Sequence, residues 1–267
     1  MSDGWLQVVQ EATKLPSLLV EIYGDLARPG VRQAGKALET ILGLGNTILW
    51  PIAWANERTR IALDQNLEKY RVRMEAIPEE RVVPIAPEIG VPIAEKLAYV
   101  RDERLSNLYV NLLAKASDSE TIHQAHPSFV NVINNLSPDE ALLLEKLRVS
   151  GSVPFMTARA ESPQGSFYVL HSSVVSKDLE SGLTFPKNIS AYLSNLTGLG
   201  IINLLADQWI DNKEIYAEIE SASTEHFLNL IQKKENSTER NLVFNKGIIE
   251  TTHFGLQFMA ACHAVES

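Results

Sequence analysis

Cysteine is almost missing from this chain. Cys262 is the single one in 267 residues, which excludes an intrachain disulfide and any paired-cysteine motif. It ends the apolar run Phe258-Met259-Ala260-Ala261-Cys262, where a lone thiol is expected to pack as a small hydrophobe rather than act as a nucleophile. A basic excess is missing too. The chain has 33 acidic against 24 basic residues, a net charge of -9, whereas proteins that grip phosphates carry a basic footprint. Non-specific nucleic-acid binding is therefore not expected. There is no Gly-x-Ser-x-Gly elbow, and Gly43-Leu44-Gly45 has neither the lysine nor the spacing of a phosphate loop. No catalytic residue and no cofactor is expected. The first fifteen residues lack a basic stretch followed by an apolar core, so no secretory leader is expected. A reducing cytoplasm is the expected setting.

What is present suits a folded protein. Hydrophobic residues make up 45% and charged residues 21%, an ordinary globular balance, in a length that accommodates two modest domains. The fold class expected is mainly α, with N-terminal and central helical blocks followed by an α+β winged-helix-like C-terminal region. Residues 1–77 carry apolar residues at helical spacing, first Trp5, Val8, Val9 and Ala12, then Leu18, Leu19, Ile22, Tyr23 and Leu26. Arg28-Pro29-Gly30 marks a break before a third helix. Leu63, Leu67, Tyr70, Met74 and Ile77 then alternate by four and three, as in the seam of a helix pair. Residues 78–92 hold Pro78, Pro84, Pro87 and Pro92 and are expected to form a stiff extended connector between domains. A central helical block spans 93–136, with Leu105, Leu108, Tyr109, Leu112 and Leu113 along one amphipathic helix and Phe129, Val130 and Ile133 along a shorter one.

From 137 to 267 the texture is mixed. Ser137-Pro138-Asp139-Glu140 reads as a capping box with proline in the first turn. Ser166–Leu170 and Val174-Val175 look extended. A helix carrying Ile189, Tyr192, Leu193 and Leu196 ends at Gly198 or Gly200. Ile201–Leu205 and Lys246–Glu250 read as paired strands, and Thr251 or Thr252 caps a closing helix with Phe254, Phe258 and Cys262. Helix, helix, two strands and helix is the order of a winged-helix module, with a polar insertion over 206–245 that is longer than such a module carries.

Three stretches are candidates for activity. Thr40–Asn56 has no charged residue over seventeen positions and contains Trp50 and Trp54 one helical turn apart. It is too short and too interrupted by Gly43, Gly45, Asn46 and Pro51 for a membrane span of about 20 apolar residues. Shallow insertion remains open, because tryptophans favour the membrane interface and nearby arginines meet lipid phosphates. The contact residues expected are Ile48, Leu49, Trp50, Ile52, Trp54, Arg58 and Arg60, facing either a partner or the inner-membrane surface. The alternative is a helix pair buried in the N-terminal domain. Asp118, Glu120, His123 and His126 form a second cluster, readable as metal ligands of an unrecognised enzyme or as loop residues with His126 capping the next helix. The third is Pro186–Thr197, the recognition-helix position of a nucleic-acid-binding module. It carries only Lys187, in a region from Pro138 onward with 10 basic and 16 acidic residues. A protein partner, or self-association, suits that module better.

Several segments resemble the bacterial abortive-infection alpha family. They are Glu21–Leu38 (EIYGDLARPGVRQAGKAL), Ile77-Pro78-Glu79-Glu80, His126-Pro127-Ser128-Phe129, Leu136-Ser137-Pro138, Asn195–Ile202 (NLTGLGII) and Thr251–Phe258 (TTHFGLQF). In the last, His253 stands where the family pattern often has proline. The resemblance implies a part in antiviral defence, as a non-enzymatic effector or adaptor. It brings no catalytic residues and names no cofactor.

Overall fold

The computed structural model describes residues 27–48, 57–234 and 240–263. Ten α-helices and one four-stranded antiparallel sheet lie among them. The chain divides into two compact units, one made of 1–136 with 257–267 and the other of 137–256.

The first unit is helical. Gly30 adopts a left-handed backbone (φ +78°) and its carbonyl accepts from the Ala34 N–H at 2.9 Å, which starts α1 (Val31–Ile48). Val31, Ala34, Ala37, Leu38 and Ile41 form the buried stripe of that helix. In α2 (Glu57–Glu75), Leu63, Leu67, Tyr70 and Met74 are all buried, as their spacing predicts. Ile77 lies past the helix end and is half-buried. Asp102 caps α4 (Glu103–Ala116), accepting from the Leu105 N–H, and this helix buries Leu108, Tyr109, Leu112 and Leu113. Then follows α5 (Ser128–Asn134), with Phe129, Val130 and Ile133 buried.

Residues 78–92 are not an extended connector. A 3-10 turn covers Glu79–Arg81, and α3 (Pro87–Leu97) follows with Pro87 in its first turn and Pro92 inside it. Proline at a helix start costs nothing, because that N–H has no intrahelical acceptor. The segment is bound into the unit by backbone bonds from Val83 N–H to Ser117 C=O at 2.9 Å and from Ile85 N–H to Ala37 C=O at 3.0 Å. Ile85, Ile89 and Ile93 bury almost completely, and this burial outweighs the stiffness that four prolines suggest. A Cβ on Gly90 would lie 2.0 Å from Ile41 Cδ1, so the Ile41 side chain of α1 packs directly on the α3 backbone.

The second unit holds α6 (Pro138–Ser150), α7 (Lys177–Glu180), α8 (Ile189–Gly198) and α9 (Lys213–Lys234). Its sheet runs β2-β1-β4-β3, with β1 Ser152–Glu161, β2 Phe167–Val174, β3 Ile202–Ala206 and β4 Asn241–Thr251. The expected pairing of Ile201–Leu205 with Lys246–Glu250 is present: Ile202 faces Thr251 and Leu204 faces Ile249. Two features exceed the expectation. Residues 152–161 form β1, the inner strand between β2 and β4, and the presumed polar insertion contains the 22-residue α9. One face of the sheet and α9 share the core Met156, Ala158, Val174, Tyr216, Ile219 and Phe227. The last helix, α10 (His253–Cys262), starts from a Thr252 cap, whose Oγ1 accepts from the Gly255 N–H at 2.9 Å.

Candidate partner or membrane contact site

The apolar segment begins inside α1. Packing is described as far as Ile41, which is 2% exposed. Ile48 is the last residue of the helix, and Leu49, Trp50, Ile52 and Trp54 lie outside the described residues. Beyond them, Arg58 and Arg60 are exposed on the first turn of α2 while Thr59 between them is buried. Burial raises the Asp64 carboxyl above its ordinary range, and the charge of Arg60 one turn away opposes that shift. The described residues thus bring Arg58 and Arg60 to one exposed turn.

Several turns further along, α2 carries a polar lock that sequence reasoning missed. Arg71, almost buried, pairs with Glu68 at 3.0 Å and Glu75 at 3.2 Å and donates to the Pro29 carbonyl. Glu68 also takes Arg28 at 2.6 Å. Hydrogen bonding from Arg71 holds the Glu68 carboxyl below its usual range. A Cβ on Gly30 would fall 2.5 Å from the Arg71 carbonyl oxygen. Arg28-Pro29-Gly30 is therefore a clasp that starts α1 against α2.

The Asp118 to His126 cluster is not assembled as a ligand set. Asp118 is taken by Arg81, whose Nε donates to Oδ1 at 2.9 Å, and Glu120 pairs with the same guanidinium at 2.8 Å. Burial pushes the Asp118 carboxyl up, but hydrogen bonds from Arg81 and the Glu120 N–H outweigh it and leave the group below the ordinary value. His126 Nδ1 accepts from the Ser128 N–H at 3.1 Å at the start of α5. Among the described residues no group of three or more His, Cys, Asp or Glu side chains could hold a metal ion. Cys262 is fully buried, and burial pushes its thiol well up, which suits packing and not nucleophilic attack.

In the second unit, Ser137 and Glu140 form the reciprocal capping box. Beside it Asp139 accepts from the Thr184 and Phe185 N–H groups at 2.8 and 2.9 Å and from the Tyr192 hydroxyl at 2.8 Å. Burial raises its carboxyl, and these donors more than reverse the shift. The network ties α6 to the loop before α8 and to α8 itself.

Residues 62–262 match the family described as abortive infection alpha. The chain belongs to that family. No curated protein and no solved structure matches it. Within the abortive infection alpha stretch, two of the resembling segments meet in space. Thr252 Oγ1 donates to the Gly200 carbonyl at 2.5 Å, its N–H to the Ile201 carbonyl at 3.0 Å, and a Cβ on Gly255 would lie 2.1 Å from the Ile201 oxygen. These motifs close the sheet end onto α10, so they are structural. His253 begins α10 and is exposed. The contact residues from Ile48 to Arg60 and the segment Glu21–Leu38 lie before the family match, which starts at Ala62. Among the described residues no helix is long and apolar enough to cross a membrane.

Proposed function

We propose that this chain is a non-enzymatic effector or adaptor of abortive infection, acting on a protein partner or the inner-membrane surface through the apolar segment before α2. The observation that carries the defence role is the family match over residues 62–262. The contact surface rests on sequence together with two exposed arginines. Seventeen uncharged residues with two tryptophans run directly into the turn that presents Arg58 and Arg60, and aromatic residues beside cations suit an interface. The second unit serves in this proposal as a winged-helix-like protein-binding module, whose acidic balance disfavours phosphate contacts.

The double substitution Trp50→Glu with Trp54→Glu tests the contact. Cells expressing it should lose protection against phage while the purified protein keeps the wild-type helical spectrum and melting temperature. Binding to vesicles containing anionic lipid should fall in parallel if the target is the membrane, and stay absent in both proteins if it is a partner. Full protection by a folded double variant would remove the segment from the mechanism.

A further inference from the structure

The two edges of the sheet differ. β2, at one end of the order β2-β1-β4-β3, has two register shifts against β1, and bulges of that kind protect an edge from further pairing. β3, at the other end, pairs with β4 residue for residue from Ile202 to Ala206 and carries no charge and no proline. The register fixes which of its backbone groups are used. The Thr252 N–H donates to the Ile201 carbonyl at 3.0 Å, and the Asp207 N–H donates to the Lys246 carbonyl at 3.2 Å. Hydrogen-bonded pairs alternate along an antiparallel ladder, so Asn203 and Leu205 turn their N–H and C=O groups toward β4. Those of Ile202, Leu204 and Ala206 point away from it. Ile202 is buried, Leu204 is half-buried and Ala206 is exposed. Among the described residues no group pairs with the outward N–H or C=O of Leu204 or Ala206. β3 thus presents a short stretch of unused ladder.

Directly after this edge comes an exposed aromatic. Trp209 is 61% exposed and follows Ala206 by three residues, at most about 10 Å of chain. Its loop is held by bonds from the Ile210 N–H to the Tyr216 hydroxyl at 3.1 Å and from the Glu214 N–H to Asn212 Oδ1 at 3.0 Å. Asp207, Asp211 and Glu214 are exposed in the same loop, and Glu250 is exposed across the ladder from Asn203. None of these four carboxylates is in an ion pair among the described residues. Lys213 is the one cation from 207 to 214. The Lys246 ammonium, on the adjoining strand, lies over the Tyr216 ring at 4.9 Å. An open edge beside an exposed indole gives a place for a strand, and the unpaired acids set the charge it must bring.

We propose that the β3 edge and the Trp209 loop together take an extended, basic segment of a partner protein. The segment adds a strand to the sheet by exchanging backbone hydrogen bonds with Leu204 and Ala206. An arginine or lysine beyond that pairing stacks on the Trp209 indole and meets Asp207 and Asp211. Backbone pairing alone takes any extended chain, so the acids and the indole supply the selectivity. The proposal rests on the reading of the second unit as a protein-binding module, and it names the surface and the chemical class of the partner.

The probe is a fluorescent peptide of about ten residues alternating arginine and valine, titrated with the full chain. Binding should show at about 10–100 μM. At saturation, hydrogen exchange at the Leu204 and Ala206 amides should slow at least about tenfold. Ala206→Pro removes an outward N–H that the β4 ladder does not use, a change an edge strand tolerates. Asp207→Asn with Asp211→Asn removes charge, and asparagine accepts the left-handed backbone that Asp207 holds (φ 64°). Each variant, with its melting temperature unchanged, should bind the peptide at least about tenfold more weakly. A peptide with glutamate in place of arginine should not bind. Absence of binding at about 0.5 mM protein overturns the proposal, as does undiminished binding by either folded variant or equal binding of the glutamate peptide. The assay holds no phage and no host protein, so its failure strikes the surface and leaves the protein-binding reading of the second unit standing. That reading fails separately if cells expressing either variant keep full protection while the purified variant has lost the peptide, an outcome that supports the surface and overturns its use in defence.

Discussion

Gly30 sits where no side chain fits. Its positive φ is costly for any L-residue, by about 1–3 kcal/mol, and its missing Cβ is 2.5 Å from the Arg71 carbonyl. Gly30→Ala should therefore destabilise the first unit by about 2–3 kcal/mol, read as a lower denaturant midpoint. An unchanged midpoint would mean that the Arg28–Gly30 clasp does not hold α1 to α2. Arg71 acts in the same clasp but leaves no mark in the sequence. It reads as one of many charges on a helix, and only the fold shows that it is buried against Glu68, Glu75 and the Pro29 carbonyl. The Arg81–Asp118 pair is similar: 37 residues separate its members, and no local pattern joins them.

At the scale of elements, the junction of β3 with α10 separates two kinds of contribution. Thr252→Ala removes a cap, worth about 1 kcal/mol. Gly255→Ala places a methyl 2.1 Å from the Ile201 carbonyl oxygen, where backbone and not a flexible side chain must move. Thermal melts should rank Gly255→Ala as the more damaging, by at least about 1–2 kcal/mol. Equal effects would show that α10 shifts freely away from β3. The caps of α6 and α10 were legible because each is written within four residues. β1 was not, since it is buried on both faces in part and carries Pro154, so neither clean alternation nor strand-like composition marks it. In α9 the buried residues Tyr216, Ile219, Phe227 and Ile231 are broken by Ser223 and Thr224 at the middle of the stripe. That gap makes the segment read as a polar insertion.

Across the whole molecule, acid should act on both units together. Glu68 and Asp118 in the first unit and Asp139 in the second all have carboxyls held below their ordinary values. A depressed folded-state pKa means that the unfolded chain takes up its proton first as pH falls. The stabilisation is complete above the ordinary carboxylate values near 4 and drains away as pH drops through the lower folded values. Urea midpoints should accordingly hold from pH 7 to 5 and decline below about pH 4. Asp139→Asn should lower the midpoint at pH 7, since an amide oxygen accepts less strongly from the Thr184, Phe185 and Tyr192 donors, and it should make the acid decline shallower. An unaltered slope in that variant would remove Asp139 from the acid response.

By itself the sequence determined the helical stripes of α2, α4 and α5, the capping box at Ser137, a threonine cap at 251 or 252 and the pairing of β3 with β4. All but the strand pairing rest on periodicity or on hydrogen bonds between near neighbours, which a short stretch of chain contains. Tertiary structure alone decided that residues 78–92 pack into the first unit as a 3-10 turn and the start of α3, because three isoleucines found a buried surface made by α1 and α4. It also decided that β1 lies inside the sheet, and that Gly255 meets the Ile201 carbonyl though 54 positions separate them. These outcomes depend on apolar area and backbone approach supplied by distant segments, and no window of local sequence contains that information.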